Sequence, residues 1–555
     1  MTASLDRRRP RARRLALNTA AAALLALSLF AAGSGGDVAA AAEGSCSVAA
    51  LQTALGRGPA LDGNISLVAA SPIEGSFTPP GATAPLTGFP GLCRVAGVAK
   101  PSRDSEINFE VWLPNGSWNS KYLSVGEGGL HGTINYAGLA DGVRRGYATA
   151  STDAGHSAAD RWWMVGHPEK VIDAGYRGKH LQTIAAKAVI RAHYDEAPRW
   201  SYHAGCSGGG RQALMSLQRY PGDFDGFVIG APANNWTGQT TNWINKALAF
   251  ADAASVIPAE KLPAIQAAVA AQCDAIDGVS DGIVSDPRRC SFNPDALACS
   301  PAKENGPACL TPPQLAALKR IFRGPVDSKG KQLFPGEEFG TDILAASGQN
   351  FVDRLGATTV GGLVLDRTDW DFRKFDFDRD SKMMEAKIGR IFNATDANLR
   401  AQKAKGIKVI QYHGWADQAL SPGESIDYYE RVVASMGGVA ETQAFYRLFM
   451  APGMAHCGGG PGPNKFGQSG GQSVAPLVTG STASDDVVKA LERWVEEGIA
   501  PDRLIATKYR NDAVTEPALI RRPLCPYPQV QKYNGTGDPN VASSFSCVAA
   551  SSATR

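Results

Sequence analysis

The sequence predicts an α/β fold built on a mostly parallel sheet, interrupted by one large inserted domain. Three observations carry that expectation. Short apolar runs of strand length alternate with amphipathic helical stretches in both halves of the chain, the pattern of repeated βαβ units. A glycine-rich serine motif lies between one such strand and the helix after it. Between about Asn242 and Ile388 the alternation stops, and four cysteines with an Asp/Gly-rich loop replace it.

Residues 107–113 alternate apolar and polar side chains, as a half-buried strand requires. Residues 122–125 and 146–153 read as further short strands. Residues 177–193 carry Leu181, Ile184, Ala185, Ala188 and Val189 at helical spacing. A strand at 200–204 precedes a helix that opens just after Ser207, and 227–229 and 409–412 read as buried strands. Residues 485–497 form a late amphipathic helix with Val487, Val488, Leu491 and Trp494 on one face. The expected organisation is a leader at 1–42, a first core part at 43–241, an inserted domain at 242–388 and a second core part at 389–555. The insertion is expected at the carboxyl edge of the sheet, where loops build sites.

The leader reads as a signal peptide: a basic stretch from Arg7 to Arg14, an apolar stretch from Leu15 to Gly33, then Ala40-Ala41-Ala42 as a cleavage site. The competing reading is a membrane anchor, since the apolar stretch is about long enough to span. With cleavage the mature chain begins near Glu43, is not held at a membrane, and is secreted or periplasmic. A formal charge of +3 on 555 residues gives no reason to expect nucleic acid as a partner. Ten cysteines follow the leader, at 46, 93, 206, 273, 290, 299, 309, 457, 525 and 547. No C-x-x-C pair is present, which sets zinc aside, and export makes disulfides the expectation. The spacing leaves their pairing open.

Gly205-Cys206-Ser207-Gly208-Gly209 satisfies G-x-S-x-G in a strand-to-helix context, which marks Ser207 as a nucleophile on a sharp turn. The Gly208 amide opens the helix and is placed to stabilise an oxyanion. A serine needs a histidine base and an orienting carboxylate. Among eight histidines, His456 sits in a loop after a β-like run at 445–450, where the α/β-hydrolase order Ser, Asp, His requires it. Asp417 follows the 409–412 strand and is the acid, with Asp427 its nearest rival on the following helix. A second oxyanion amide is expected from the Gly126-Glu127-Gly128-Gly129 loop, at Gly128 or Gly129.

These residues resemble the tannase and feruloyl esterase family. The resemblance rests on Cys206-Ser207, Asp417 and His456-Cys457, with Arg211-Gln212, Ser151-Thr152-Asp153-x-Gly155-His156 and Trp370-Asp371-Phe372 in support. It covers almost the whole mature chain. It implies an α/β-hydrolase core under a large lid domain, and a Cys206–Cys457 disulfide. One departure is Gly208, where relatives often carry threonine or glutamate. The family's members cleave gallate and ferulate esters, and one branch cleaves mono(2-hydroxyethyl) terephthalate.

Cys273-Asp274-Ala-Ile-Asp277-Gly278-Val279-Ser-Asp281-Gly282-Ile283 places three carboxylates within eight residues, a hard-oxygen set that suits calcium. The resemblance implies a structural Ca2+ held by Asp274, Asp277, Val279, Asp281 and Ile283, the valine and isoleucine through their carbonyls. The function expected is therefore ester hydrolysis on small aromatic esters through an acyl-enzyme. The alternatives are a terephthalate monoester hydrolase and an inactive secreted binding protein on the same scaffold. Intact Ser207, Asp417 and His456 argue against the last.

Overall fold

Nine strands form the central sheet: β1 (Ile65–Ile73), β2 (Leu92–Ala99), β3 (Ile107–Pro114), β4 (Lys121–Val125), β5 (Ala148–Thr152), β6 (Trp200–Cys206), β7 (Gly226–Gly230), β8 (Lys408–Gly414) and β9 (Tyr446–Ala451). Their order is β1-β2-β3-β5-β4-β6-β7-β8-β9. From β5 to β9 all neighbours are parallel, while β1, β2 and β3 pair antiparallel at one edge. This computed structural model describes residues 45–56, 62–300, 306–343, 355–468 and 482–550. The expected signal peptide, residues 1–42, lies outside the described residues.

Parallel strands need cover on both faces, and the sequence supplies it with near-continuous apolar strands. One face buries Phe109, Val111, Tyr122, Phe227, Val409 and Leu448 against α2 (Gly178–Tyr194), α3 (Gly208–Arg219) and α5 (Pro422–Met436). The other buries Trp112, Leu123, Tyr202, Val228 and Ile410 against α1 (Tyr136–Arg144) and α6 (Val487–Glu497). Alternate residues of one strand, such as Val409 and Ile410, thus serve opposite cores. The mixed sheet with helices on both faces is an α/β-hydrolase fold.

Among the described residues, no strand between β7 and β8 joins this sheet. Helix α4 (Trp236–Ala249) runs across the boundary expected at 242. Beyond it, residues from Ala249 to Ile343 bury an apolar cluster of their own around Cys273, Leu318 and Ile321. A second cluster joins Trp236, Trp243, Val360, Leu363 and Phe392 to Trp163, Ala233 and Leu420, which lie in loops after β5, β7 and β8. The inserted segment therefore packs over the carboxyl edge of the sheet.

Five disulfides pair all ten cysteines: Cys46–Cys93, Cys206–Cys457, Cys273–Cys290, Cys299–Cys309 and Cys525–Cys547. Among the described residues no helix is long and apolar enough to cross a membrane.

Candidate active site

Ser207 sits between β6 and α3 with φ 63° and ψ −122°, a conformation that a residue with a Cβ adopts only when its surroundings impose it. The imposing contacts are backbone on backbone. A Cβ on Gly126 would lie 2.6 Å from Gly209 Cα and 2.9 Å from Gly205 Cα, so glycine alone lets β4, β6 and α3 meet there. The Ser207 amide donates to Gly230 O at 3.0 Å, and its carbonyl accepts from Arg211 N and Ala233 N. The serine is thereby fixed at the wall of a cavity of about 900 Å3.

The loop after β4 passes directly over the start of α3. Gly129 N and O lie 3.1 and 2.2 Å from where a Gly208 Cβ would be. Gly128 O is engaged by His131 N at 3.0 Å. Gly128, Gly129 and Gly208 all line the cavity beside Ser207, and Gly129 N is the amide brought against Gly208.

Buried polar side chains hold this loop through contacts that the sequence reading did not anticipate. Lys179 Nζ donates to Glu127 Oε1 at 2.8 Å and to Val125 O at 2.9 Å. Ser151 Oγ and Thr152 N donate to the same Glu127 oxygen, and Glu127 N donates to Gln212 Oε1. Burial pushes the Lys179 ammonium down, against the pull of Glu127. Arg211 Nη2 donates to His131 Nε2 at 2.6 Å, and burial brings its guanidinium down to about 9. Burial and then Arg211 hold His131 well below the usual imidazole range, so it is neutral. No local pattern announces contacts between residues 52 and 80 positions apart.

Asp417 closes the turn after β8, fully buried. Its Oδ1 accepts from Ala419 N and Leu420 N at 2.8 and 2.9 Å. Its Oδ2 meets His456 Nδ1 at 2.8 Å and His413 Nε2 at 3.0 Å. Burial pushes this carboxyl up, but the two imidazoles outweigh it and hold it well below the usual carboxylate range. Asp427, the rival acid, lies exposed on α5. His456 is partly exposed and lines the same cavity as Ser207. The Cys206–Cys457 bond ties the residue before Ser207 to the residue after His456.

The rest of the cavity wall is largely apolar and aromatic, with Leu130, Tyr136, Trp163, Trp236, Trp243 and Leu420. His156 stacks on Trp163 at 3.8 Å, and burial brings it down to about 4.

In the acidic loop, Asp274 Oδ1 accepts from Asp281 N and Gly282 N, and Asp277 Oδ1 from Val279 N. Asp281 Oδ1 accepts from Ile283 N, and its Oδ2 from Arg522 at 2.7 Å. Among the described residues no three His, Cys, Asp or Glu side chains converge as they would around a bound metal. The donor chemistry nevertheless fits a hard divalent cation. Three carboxylates, one of them buried, share this loop, and the Arg522 guanidinium pairs with Asp281.

The family model described as tannase and feruloyl esterase matches residues 93–548. The chain belongs to this family. It is 40% identical over 508 residues to an uncharacterized esterase of Xanthomonas campestris pv. campestris, covering 85% of this chain and 87% of that one. It is 33% identical over 470 residues to a probable feruloyl esterase B-1 of Aspergillus flavus, covering 82% and 86%. Among solved structures, the crystal structure of feruloyl esterase B from Aspergillus oryzae superposes with a TM-score of 0.81 at 29% identity, covering 90% of this chain and all of that one. This member of the tannase and feruloyl esterase family is a carboxylic ester hydrolase.

Proposed function

We propose that this family member is an exported serine esterase that cleaves small aromatic esters through an acyl-enzyme. The observation that carries the reading is the joint placement of Ser207 on its strained turn and His456 paired with buried Asp417, both at one aromatic-walled cavity. Ser207 Oγ attacks the ester carbonyl carbon while His456 accepts the hydroxyl proton through Nε2. Asp417 fixes the tautomer by accepting from Nδ1 and favours the imidazolium that forms. The Gly208 amide and an amide of the Gly128–Gly129 turn receive the developing oxyanion. His456 then protonates the departing alkoxide, the alcohol leaves, and water repeats the sequence to release the acid.

The inserted segment acts as a lid that closes the cavity from the side opposite the sheet; its Trp236 and Trp243 on the wall support this. Export is supported by the leader composition and by five disulfides, which persist in oxidising compartments. The acidic loop would hold calcium through Asp274, Asp277 and Asp281 with the Val279 and Ile283 carbonyls, in a structural role.

Comparing hydrolysis of methyl ferulate, methyl gallate and mono(2-hydroxyethyl) terephthalate tests the substrate class. Turnover of at least one of the first two, lost by several orders of magnitude in Ser207→Ala, is expected. Activity confined to short aliphatic esters, or retained above about one per cent in the variant, would overturn the reading.

A further inference from the structure

Asp417 Oδ2 receives two imidazoles, and the proposed mechanism uses only one of them. The second, His413, is the last-but-one residue of β8, is fully buried, and does not itself line the cavity. Its hydrogen-bonding partners determine where its proton is. The Tyr446 hydroxyl donates to Gln411 Oε1, which orients that amide so that Gln411 Nε2 donates to Ser425 Oγ at 2.8 Å. The same Ser425 Oγ meets His413 Nδ1 at 2.7 Å. His413 Nε2 faces two atoms that can only accept, Asp417 Oδ2 at 3.0 Å and Leu420 O at 3.2 Å, so it carries a proton. This placement of the proton follows from the network. Every polar atom in the chain from Tyr446 to Asp417 has a partner, the condition under which a buried polar network is rigid.

We infer that His413 is a positioning residue for the acid–base pair: an imidazole whose Nε2–H, shared between Asp417 Oδ2 and Leu420 O, fixes the carboxylate and limits how strongly it attracts a proton on His456. The inference rests on the proposed roles of Asp417 and His456. Two consequences follow from the geometry. First, the Asp417 carboxylate receives donors on both oxygens, Ala419 N and Leu420 N on one and two imidazoles on the other, so it cannot rotate without losing several bonds at once. Second, each donor spreads the carboxylate charge. A carboxylate that already accepts from His413 stabilises imidazolium at His456 less than one that does not.

Other ionisable groups near the pair do not duplicate this role. Glu337, from the inserted segment, repels charge on Asp417 but is itself paired with Lys246 at 2.7 Å. Lys246 Nζ also donates to Gln418 O, next to Asp417. Glu424, the residue before Ser425, is directed to Arg431 and Asn234 rather than to His413. Tyr446 acts only through Gln411.

The test compares the pH dependence of kcat/KM in wild type, His413→Leu and His413→Gln. Glutamine can place an amide N–H where Nε2–H stood, and leucine cannot. The leucine variant is expected to lose about tenfold in kcat with little change in KM, and to move the acid limb of kcat/KM upward by about half a pH unit or more. The glutamine variant is expected to return the limb to the wild-type position. A folded leucine variant whose limb coincides with wild type overturns the inference, as does a glutamine variant as shifted as leucine. Should the leucine variant not fold, histidine-selective 15N NMR on the wild-type enzyme decides. His413 should carry its proton on Nε2, hydrogen-bonded to Asp417, and a His413 protonated on Nδ1 alone overturns the inference. Asp417→Asn separates this from the underlying reading: full activity there removes the acid–base pair itself, whatever His413 does.

Discussion

Replacing Gly208 by alanine puts a single methyl group where the loop after β4 crosses the start of α3. An added Cβ would stand 2.2 Å from Gly129 O, whereas real contacts of this kind essentially never fall below 3.0 Å, so about 0.8 Å has to be found. Neither side yields easily. The α3 end is fixed by the Gly126–Gly205–Gly209 contact, and the loop is pinned at Glu127 by Lys179 and Gln212 and at His131 by Arg211. The displacement therefore falls on Gly129, whose amide is the one brought against Gly208. Misplacing a catalytic group by about 1 Å costs on the order of a hundredfold, so Gly208→Ala should lower kcat by about 10- to 100-fold. The overpacking should cost about 1–3 kcal/mol of stability. Steady-state kinetics on an aromatic methyl ester, with a thermal melt of the same preparation, separates the two effects. A folded variant with kcat within about twofold of wild type would refute the reasoning, because the loop would then have moved without consequence for the reaction.

Other perturbations reach different parts of the account. Burial pushes Glu424 up to about 7, with Arg431 opposing. A carboxyl raised on folding contributes stability that is fully present below its unfolded value of about 4.3 and is lost as pH rises through about 7. Glu424→Gln should thus melt with wild type near pH 4.5 and several degrees above it at pH 8; a melting temperature at pH 8 equal to or below wild type would count against the burial argument. Removing calcium with a chelator should lower Tm more than it lowers kcat, since a cation held only by the folded loop stabilises by mass action; an unchanged Tm together with no metal by elemental analysis would remove the calcium proposal. The Cys206–Cys457 bond spans 251 residues and joins the flanks of Ser207 and His456. Its double replacement by alanine should cost about a hundredfold in kcat through drift of the pair, and undiminished kcat in a folded protein would contradict that role.

What the sequence made legible follows from how local each signal is. Ser207, Asp417 and His456 each sit at a strand end within a short turn, so composition and periodicity around them suffice to point there. The parallel strands were readable because burial on both faces makes them uniformly apolar. β1 was not: it is an edge strand with Ser66, Ser71 and Pro72 and only one buried residue, which leaves no clear period. Helix α1 escaped notice because Gly138 and Gly142 lower its helical propensity; both are needed where it packs against Val125 and Thr149. The Cys206–Cys457 pairing came from family resemblance, since spacing among ten cysteines cannot choose it. The Glu127–Lys179 and Arg211–His131 contacts were invisible, because charged residues are expected at the surface and nothing nearby in sequence marks their burial. His413 did leave a trace. It stands four residues before Asp417 at the end of a buried strand, and a polar residue there calls for a partner.

The central claim is that the ester's acyl group passes through Ser207. Mixing the enzyme with a slowly deacylating activated aromatic ester, quenching in acid during the first turnover and mapping the peptides by mass spectrometry tests it directly. The account predicts one acyl group per chain, on the peptide containing Ser207, and none in Ser207→Ala. Stoichiometric acylation of another residue, or rapid turnover in the variant, would contradict it.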